Sequence, residues 1–428
     1  MAELAVAIAG CGTAGLASAL FLRAAGAKVT LFEQFAAPKP LGAGVLLQPA
    51  GLAVLGELGL LRGALERGAR IGHILGTTVT GRKVLDIGYR RLSPDLHGLG
   101  IHRGTLFELL HGEVLRQAIP IRTASRIVAT PRDGAGRILH CADGTRHGPF
   151  DLVVDASGVQ SVIRGLETKV RLDRVYPYGA VWGVVEIAAG DPNGATLWQR
   201  YNGTSTMLGL LPIGRKPGDD RLLAALFWSV RRDQQADLQA AGLAAWQRQV
   251  LAVAPETAAF IGQFTSLDQL TVANYSDVVL RRPFEPGLAI IGDAAHATSP
   301  QLGQGANHAL LDARALGLAI ATVVQGETSV DEALDAYFRQ RRGQIAFYQR
   351  ASRWLTPVFQ SDSRVIGALR DWTLGPLCHL PWLRTEMALT LAGMKTGLFS
   401  AMRPQAPPAN LSGSAAIQIA RSVDREAR

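Results

Sequence analysis

Residues Leu4–Glu33 constrain this chain more than any other stretch. Val6-Ala7-Ile8-Ala9 is short, apolar and β-prone, and it runs straight into Gly10-Cys11-Gly12-Thr13-Ala14-Gly15, a G-x-G-x-x-G turn. Leu16 to Ala25 then predicts a helix, and Lys28–Phe32 a second strand that ends in Glu33. Each part matches a demand of dinucleotide binding. Gly10 permits the tight turn, Gly12 lets backbone approach a pyrophosphate, and Gly15 lets the helix pack on the strand. The helix N-terminus aims free N–H groups at phosphate oxygens, while a carboxylate at position 33 is placed to accept hydrogen bonds from a ribose. The rival reading is a membrane span or signal peptide, because Leu4–Leu22 carries no charge. Glycines inside the run, Glu3 just ahead of it and no preceding basic residue argue against that.

With 428 residues the chain has room for two or three domains, and 48% hydrophobic against 18% charged residues describes a globular protein. A formal net charge of +9, spread without a long basic run, suits an anionic cofactor or substrate, or an acidic membrane surface. No nucleic-acid motif accompanies it, so no nucleic-acid partner is expected. Cys11, Cys141 and Cys378 are far apart and odd in number. They imply neither a disulfide framework nor a metal site, and they fit a reducing, cytoplasmic setting.

Along the chain, Pro38–Pro49 is loop-like, and leucines at 52, 55, 58 and 61 predict a helix over Gly51–Arg67. Ile74–Val79 and Lys83–Tyr89 read as strands, an excursion from the nucleotide fold. The chain returns at Ile101–Thr105, followed by a helix from Leu106 to about Gln117. Arg126–Thr130 and Arg137–Cys141 predict a hairpin around Asp133-Gly134. Phe150–Asp155 is a buried strand opening into Ala156-Ser157-Gly158. From Arg171 to Asp277 short strands (Ala180–Ile187, Thr206–Leu211, Leu222–Val230) surround one helix, Leu238–Val253, and suggest a mostly antiparallel unit. Leu288–Ile291 is again a buried strand. It leads into Gly292-Asp293, a loop at 294–305, and helices over Ala306–Val324 and Val330–Tyr348. The remainder to about residue 402 reads as helical, and residues 403–428 as a loose tail.

Three glycine loops, at 10–15, 155–164 and 292–305, therefore end three apolar strands, where an open α/β sheet meets its ligand. One long cofactor touching all three explains them most simply. With GCGTAG at 10–15 and Glu33, HRGTL at 102–106, DASGVQSVIR at 155–164 and GDAAHATSPQLGQGANHALLDA at 292–313, the chain closely resembles the class A flavoprotein monooxygenases, the family of p-hydroxybenzoate, salicylate and ubiquinone-pathway hydroxylases. The resemblance covers residues 1 to about 345.

It implies an α/β fold (α+β overall): a discontinuous Rossmann-like FAD-binding domain (1–70, 97–174 and 277–345), a β-sheet substrate domain (71–96 and 175–276) and a helical C-terminal region (346–402). It further implies that Gly10, Gly12, Thr13, Ala14, Gly15 and Glu33 hold the ADP half of FAD, with Arg103 facing the cofactor's middle. Gly158 would belong to the second loop, and Asp293 would bind the ribitol. Gly44, Val45, Pro300, Gly303, Gly305, Ala306 and Asn307 would line the isoalloxazine. Ser157 stands where the family usually has aspartate, which unsettles the identity and even the use of a nicotinamide.

The implied reaction is hydroxylation of an aromatic or quinone-type substrate with NADH or NADPH and O₂, through a flavin C4a-hydroperoxide. A phenol-ionising base would help, and Tyr201, Tyr178 and His73 are the candidates in the β-rich unit. Pro300, beside the flavin, is a further catalytic candidate. Trp182, Met207, Leu210, Phe227 and Trp228 are candidate pocket walls, though ordinary sheet packing explains each as well. Two other readings stay open: a flavin halogenase or prenyl-chain reductase on the same scaffold, and a non-catalytic FAD-fold binding protein. Phe227-Trp228-Ser229-Val230 does not match the Trp-x-Trp-x-Ile-Pro segment expected of halogenases. The stretch Ser361–Ser400, including Leu391-Ala392-Gly393-Met394, resembles the end regions of ubiquinone-pathway hydroxylases, implying peripheral contact with the inner face of a membrane, or with a partner, near Trp372–Phe399; a helical lid or a homodimer surface is the alternative.

Overall fold

The computed structural model describes residues 3–39, 42–134 and 136–402. It begins β1 (Ala5–Ala9), α1 (Thr13–Ala24), β2 (Lys28–Phe32), β3 (Gly44–Leu47), α2 (Pro49–Glu57), α3 (Leu61–Arg67) and β4 (Ala69–Ile71). Then come β5 (His73–Thr78), β6 (Lys83–Gly88), β7 (Gly98–His102), α4 (Arg103–Arg116), β8 (Ile121–Arg122), β9 (Ile127–Ala129), β10 (Arg132–Asp133), β11 (Gly136–Cys141), β12 (Arg146–Phe150), β13 (Leu152–Asp155) and α5 (Ile163–Glu167). The middle of the chain holds β14 (Val170–Glu186), β15 (Thr196–Asn202), β16 (Thr206–Gly214), β17 (Leu223–Arg231), α6 (Gln235–Val253), α7 (Ala258–Ile261) and β18 (Thr271–Leu280). It closes with β19 (Phe284–Glu285), β20 (Leu288–Ile290), α8 (Asp293–His296), α9 (Gly305–Val324), α10 (Val330–Phe359), α11 (Arg364–Leu377) and α12 (Pro381–Leu391).

A six-stranded sheet runs β19-β20-β13-β1-β2-β8, parallel except at β19. Its strands are apolar throughout because both faces are covered. Val6 and Ile8 pack into the core with Leu310, Leu316 and Ile320 of α9, each such buried side chain stabilising by roughly 1.5–3 kcal/mol. Ala7, Ala9 and Val153 face the other way, onto Ile127, Leu139 and Cys141 of the small β9–β12 sheet. α9 lies close on α1, where a Cβ at Gly317 would sit 2.5 Å from that of Phe21.

The second large sheet runs β18-β14-β17-β16-β15-β5-β6, antiparallel except where β5 joins β15. Its outer face carries Val181, Val185, Leu208, Leu210, Leu226 and Trp228 against Trp246 and Val250 of α6. Its inner face carries Leu211, Ile213, Leu223 and Ala225 against Ala43 and Leu46. The three-stranded β3-β7-β4 sheet bridges the two large ones. β7 presses so close to β16 that a Cβ at Gly100 would lie 1.9 Å from the Pro212 carbonyl.

Some elements differ from expectation. The single helix predicted over Gly51–Arg67 is two, broken around Gly59, whose φ of 75° ends the first. α4 starts at Arg103 rather than Leu106, because the His102 side chain caps it by accepting from Gly104 N. α10 starts at a capping box between Ser329 and Glu332 and continues eleven residues past Tyr348. That extension is held by Ser352 and Thr356, whose hydroxyls bond Ser299 Oγ at 2.9 and 2.6 Å. The loop predicted at 294–305 contains the short α8 and a 3₁₀ turn at Pro300–Leu302. Among the described residues no helix is long and apolar enough to cross a membrane. The tail expected at 403–428 lies outside the described residues.

Candidate active site

Ala9, Asp155 and Ile290 lie side by side in the parallel register, so the three glycine loops leave the sheet together. Gly10 has a φ of 103°, and a Cβ there would fall 2.6 Å from the Ala156 carbonyl of the second loop. A Cβ on Gly15 would meet the Gly10 carbonyl at 1.9 Å, while one on Gly12 would meet nothing within 4 Å. The third loop joins from the same edge: a Cβ on Gly292 would be 3.0 Å from that of Ala14. Gly12, Arg103, Ser157, Asp293, Pro300 and Gly305 are all exposed here. Neither α1 nor α9 has a side chain capping its N-terminus, so both leave free N–H groups at this edge.

Glu33 is buried. Its Oε2 accepts from Cys11 N at 2.9 Å and its Oε1 from Phe35 N at 3.0 Å, so it braces the first loop as well as facing it. Burial, with the Glu33 charge added, pushes the Cys11 thiol up to about 12, which makes it an inert packing group. Arg103 N donates to the Ala43 carbonyl at 3.0 Å, and its side chain runs beside Gly42 into the open. His102, capping the same helix, is shifted down by burial and by the Lys216 charge, so its neutral ring serves as the acceptor. In the second loop the Ser157 backbone N–H and hydroxyl both donate to Asp155, as does the Ser161 hydroxyl. Burial raises the Asp155 carboxyl despite those donors. Ser157 thus closes a turn over a buried carboxyl, with Gly158 beside it.

The third loop is anchored from behind. Asp312, fully buried on α9, accepts from Gly292 N at 2.9 Å and from His296 through Oδ2, and from Arg341 Nε at 2.8 Å through Oδ1. Burial alone would raise this carboxyl; the His296 and Arg341 charges and the Gly292 donor overcome it and hold Asp312 well below the usual carboxylate range. Arg341 also reaches His308 Nδ1 at 3.3 Å and bonds Gln344. Sequence reasoning missed the Asp312 anchor, although the residue lies inside the motif at 292–313. Asp293 itself is exposed, with Oδ1 3.6 Å from where a Gly305 Cβ would be.

Two expected isoalloxazine contacts sit differently. The Asn307 side chain is fully buried, accepting from Gln48 N at 2.8 Å and donating to the Gly303 carbonyl at 3.1 Å, so it ties α9 to β3 rather than facing the crevice. Gly44 is buried against the large sheet, where a Cβ would meet Ile213 at 2.5 Å and Ala225 at 3.1 Å. Val45, Gly303 and Ala306 are half-buried along the crevice, and Thr13 and Ala14 open α1.

Strand alternation sorts the pocket candidates. Trp182, Met207 and Phe227 share the inner face, the Trp182 and Phe227 rings 4.9 Å apart. Leu210 and Trp228 belong instead to the outer core under α6, so they are not pocket walls. His73 is in register with Thr196, two residues before the outward-packed Trp198, and its ring meets Asp86 at 2.7 Å. It therefore faces away from the crevice and is no base for it. Tyr201 is on the inner side but fully buried, its hydroxyl donating to Gln199 at 2.8 Å and its ring packed against a tilted Phe359 and under the Arg370 guanidinium. Burial raises its phenol, which also disqualifies it as a base at neutral pH. Tyr178 is spent on Asp362, and burial raises its phenol too. Sequence reasoning missed Tyr275, which accepts a hydrogen bond from Trp182 Nε1 at 3.2 Å on the inner face. No sequence signal singles it out, because Asn274 and Asp277 interrupt the apolar alternation of β18.

An open Gly12 approach, two uncapped helix N-termini, an exposed carboxylate at 293 and an exposed guanidinium at 103 together fit a dinucleotide with a polyol arm. The comparisons agree. A family model described as an FAD binding domain matches residues 3–349. A 6-methylpretetramide 4-monooxygenase of Streptomyces rimosus is 27% identical over 91% of this chain and 93% of its own. A 3-amino-4-hydroxybenzoate 2-monooxygenase of Streptomyces cremeus is 27% identical over 89% and 95%. Among solved structures, Klebsiella pneumoniae HpxO complexed with FAD and uric acid superposes with a TM-score of 0.75, at 19% identity over 92% of this chain and 98% of that one. The chain belongs to the FAD binding domain family and is an FAD-dependent class A flavoprotein monooxygenase.

Proposed function

We propose that this monooxygenase hydroxylates a small aromatic substrate, taking electrons from NADH or NADPH and its oxygen atom from O₂. The observation that carries the reading is the inner-face aromatic wall of Trp182, Phe227 and Tyr275, set on the sheet that packs against β3 at the crevice. Bound FAD supplies the electron transfer and oxygen activation. The chain's residues supply position: Glu33 braces the first loop, Asp293 and Arg103 would hold the polyol and phosphate middle, and the Asp312 anchor fixes the third loop. The apolar wall excludes water and holds a ring flat. Among the described residues no side chain is placed as a base, so ionisation of a phenol falls to electrostatics. The test is NADH and NADPH oxidation by the purified yellow protein across phenols and quinols, with product mass. Substrate-dependent oxidation and a product heavier by one oxygen atom are expected; silence with both nicotinamides sinks the reading.

A surface contact is a second reading, favoured by one observation. Val365, Leu369, Trp372 and Pro376 form an exposed stripe along α11, continued by Leu380 and Trp382, with the Arg82 guanidinium 3.7 Å over the Trp372 ring. Exposed tryptophans rimmed by arginine suit an anionic lipid surface. Flotation with phosphatidylglycerol vesicles checks this: the Leu369→Glu/Trp372→Glu variant should lose binding, and equal flotation dismisses it.

A further inference from the structure

Residues 390–393, where α12 ends, offer four successive backbone carbonyls, and each is taken by a donor from another element. The Tyr348 hydroxyl of α10 donates to Thr390 O at 2.8 Å and Gln304 Nε2 to Leu391 O at 2.9 Å. Ala50 N donates to Ala392 O at 3.3 Å and Gln344 Nε2 to Gly393 O at 2.8 Å. The last carbonyls of a helix have no partner within it, so the row is a ready set of acceptors. Its donors surround the third glycine loop. Gln304 immediately precedes α9, and Ala50 lies in the first turn of α2, just past β3. Gln344 is bonded by Arg341, the same guanidinium that reaches Asp312. Both glutamines are buried. Gly393 fits this spot closely: its φ is 77°, and a Cβ there would lie 3.0 Å from Gln304 Oε1 and 3.2 Å from Ala50 Cβ. Ala392 and Met394 bury beside it among Leu46 of β3 and Ile213 of β16.

We propose that residues 391–394 are a clasp on the third glycine loop, with Gln304 and Gly393 as positioning residues for the flavin. By fixing the residue that opens α9, the C-terminal segment sets where that helix's free N–H groups stand. The assignment rests on the isoalloxazine lying against loop 292–305. A helix N-terminus is the positive end of its dipole and favours the negative charge a flavin gains on reduction. That effect falls off within a turn, so a small retreat of Gly305 weakens it. The clasp therefore acts on how readily FAD accepts electrons, and not only on how firmly the chain folds.

The test is the two-electron reduction midpoint of FAD bound to the full chain, read by dye equilibration at saturating FAD, with the visible spectrum beside it. Gln304→Met keeps the length of the side chain and removes the donor. It should weaken the hold on reduced FAD by up to about tenfold more than that on oxidised FAD, which lowers the reduction midpoint by up to about 30 mV. Gly393→Ala, which pushes on Gln304, should shift it the same way. Gln247→Met is the matched control. Gln247 also donates to backbone carbonyls, those of Ile261 and Phe264, but it does so on α6, so its loss should lower the urea midpoint and leave the flavin unchanged. Gly303→Ala alters the third loop itself and should move the reduction midpoint and spectrum. If it does while both clasp variants keep the wild-type values, the clasp is overturned and the flavin placement stands. If Gly303→Ala moves neither, the isoalloxazine lies elsewhere and the clasp falls with that placement.

Discussion

Asp312 shows how much a single side chain can hold. Its two oxygens take a backbone N–H of the third loop, an imidazole and a guanidinium, all away from water. Asp312→Ala strands the Arg341 charge in the core, and removing one partner of a buried pair costs about 3–5 kcal/mol. The urea midpoint should fall accordingly, and FAD should be lost on gel filtration because Gly292 is no longer fastened. The same cluster sets an acid limit. His308 is buried beside Arg341 and held well below the ordinary imidazole value, so the folded state refuses a proton that the unfolded chain accepts near pH ~6.5. Its contribution is complete above that pH and is lost as pH falls towards the folded value. The Asp312 contribution, with a depressed folded value, persists until about pH 4 and is lost below it. His308→Gln, which keeps an acceptor for Arg341, should flatten the slope of the urea midpoint against pH between about 5 and 6.5. An unchanged slope places the acid sensitivity elsewhere. At this scale, positions fixed by backbone were legible: the Gly10–Gly15 loop at the end of β1 and the exposed place of Asp293 after β20. Side chains whose direction depends on tertiary partners were not. Asn307 turned inward to Gln48, and His73, Leu210 and Trp228 fell on the outer face, because a sheet's period of two says which residues share a face but not which face meets the ligand.

At the level of elements, the β1–loop–α1 unit separates packing from binding. The crevice side of Gly12 is open, whereas Gly15 is jammed against the Gly10 carbonyl. Gly12→Ala should leave the stability of the FAD-free protein within about 0.5 kcal/mol of the wild type and weaken FAD binding. Gly15→Ala should lower both, with an overpacking cost of about 1–3 kcal/mol as α1 is pushed off β1. Thermal unfolding of stripped protein and fluorescence titration of FAD distinguish the two, and equal behaviour would mean that Gly12 does not face the cofactor. The elements easiest to read were the buried parallel strands and the helices flanking them, whose apolar runs and glycine boundaries are local. β15 and β18 were harder, since Arg200 and Asn202 in one and Asn274 and Asp277 in the other break the apolar alternation for the sake of specific partners. The far half of α10 reads as helical in sequence but not as one helix with its start, because its buried face is mixed: Ser352 and Thr356 bond Ser299, while Leu355 and Phe359 pack in the cluster around Tyr201.

For the whole molecule, the crevice is the place where separate cores meet. One core lies between the parallel sheet and α1 and α9, another between the antiparallel sheet and α6, and the three glycine loops open beside the first. A single extended FAD spanning loops 10–15, 155–164 and 292–305 should act as a clasp. Removing it should cost stability by mass action, about 2.7 kcal/mol at a hundredfold excess over Kd. The loss should also have a shape. Hydrogen exchange of stripped against reloaded protein should show added protection in all three loops, and in β3 behind the third, since amide opening there is local to the crevice. The core around Trp246 and Val250 shares no wall with the loops and should exchange alike in both forms. Protection confined to residues 10–15 would mean that only a nucleotide half is held and would break the one-cofactor account. Protection at both ends of the crevice requires a ligand long enough to reach from Gly12 to Gly305, and an adenine dinucleotide with a flavin at its far end has that length.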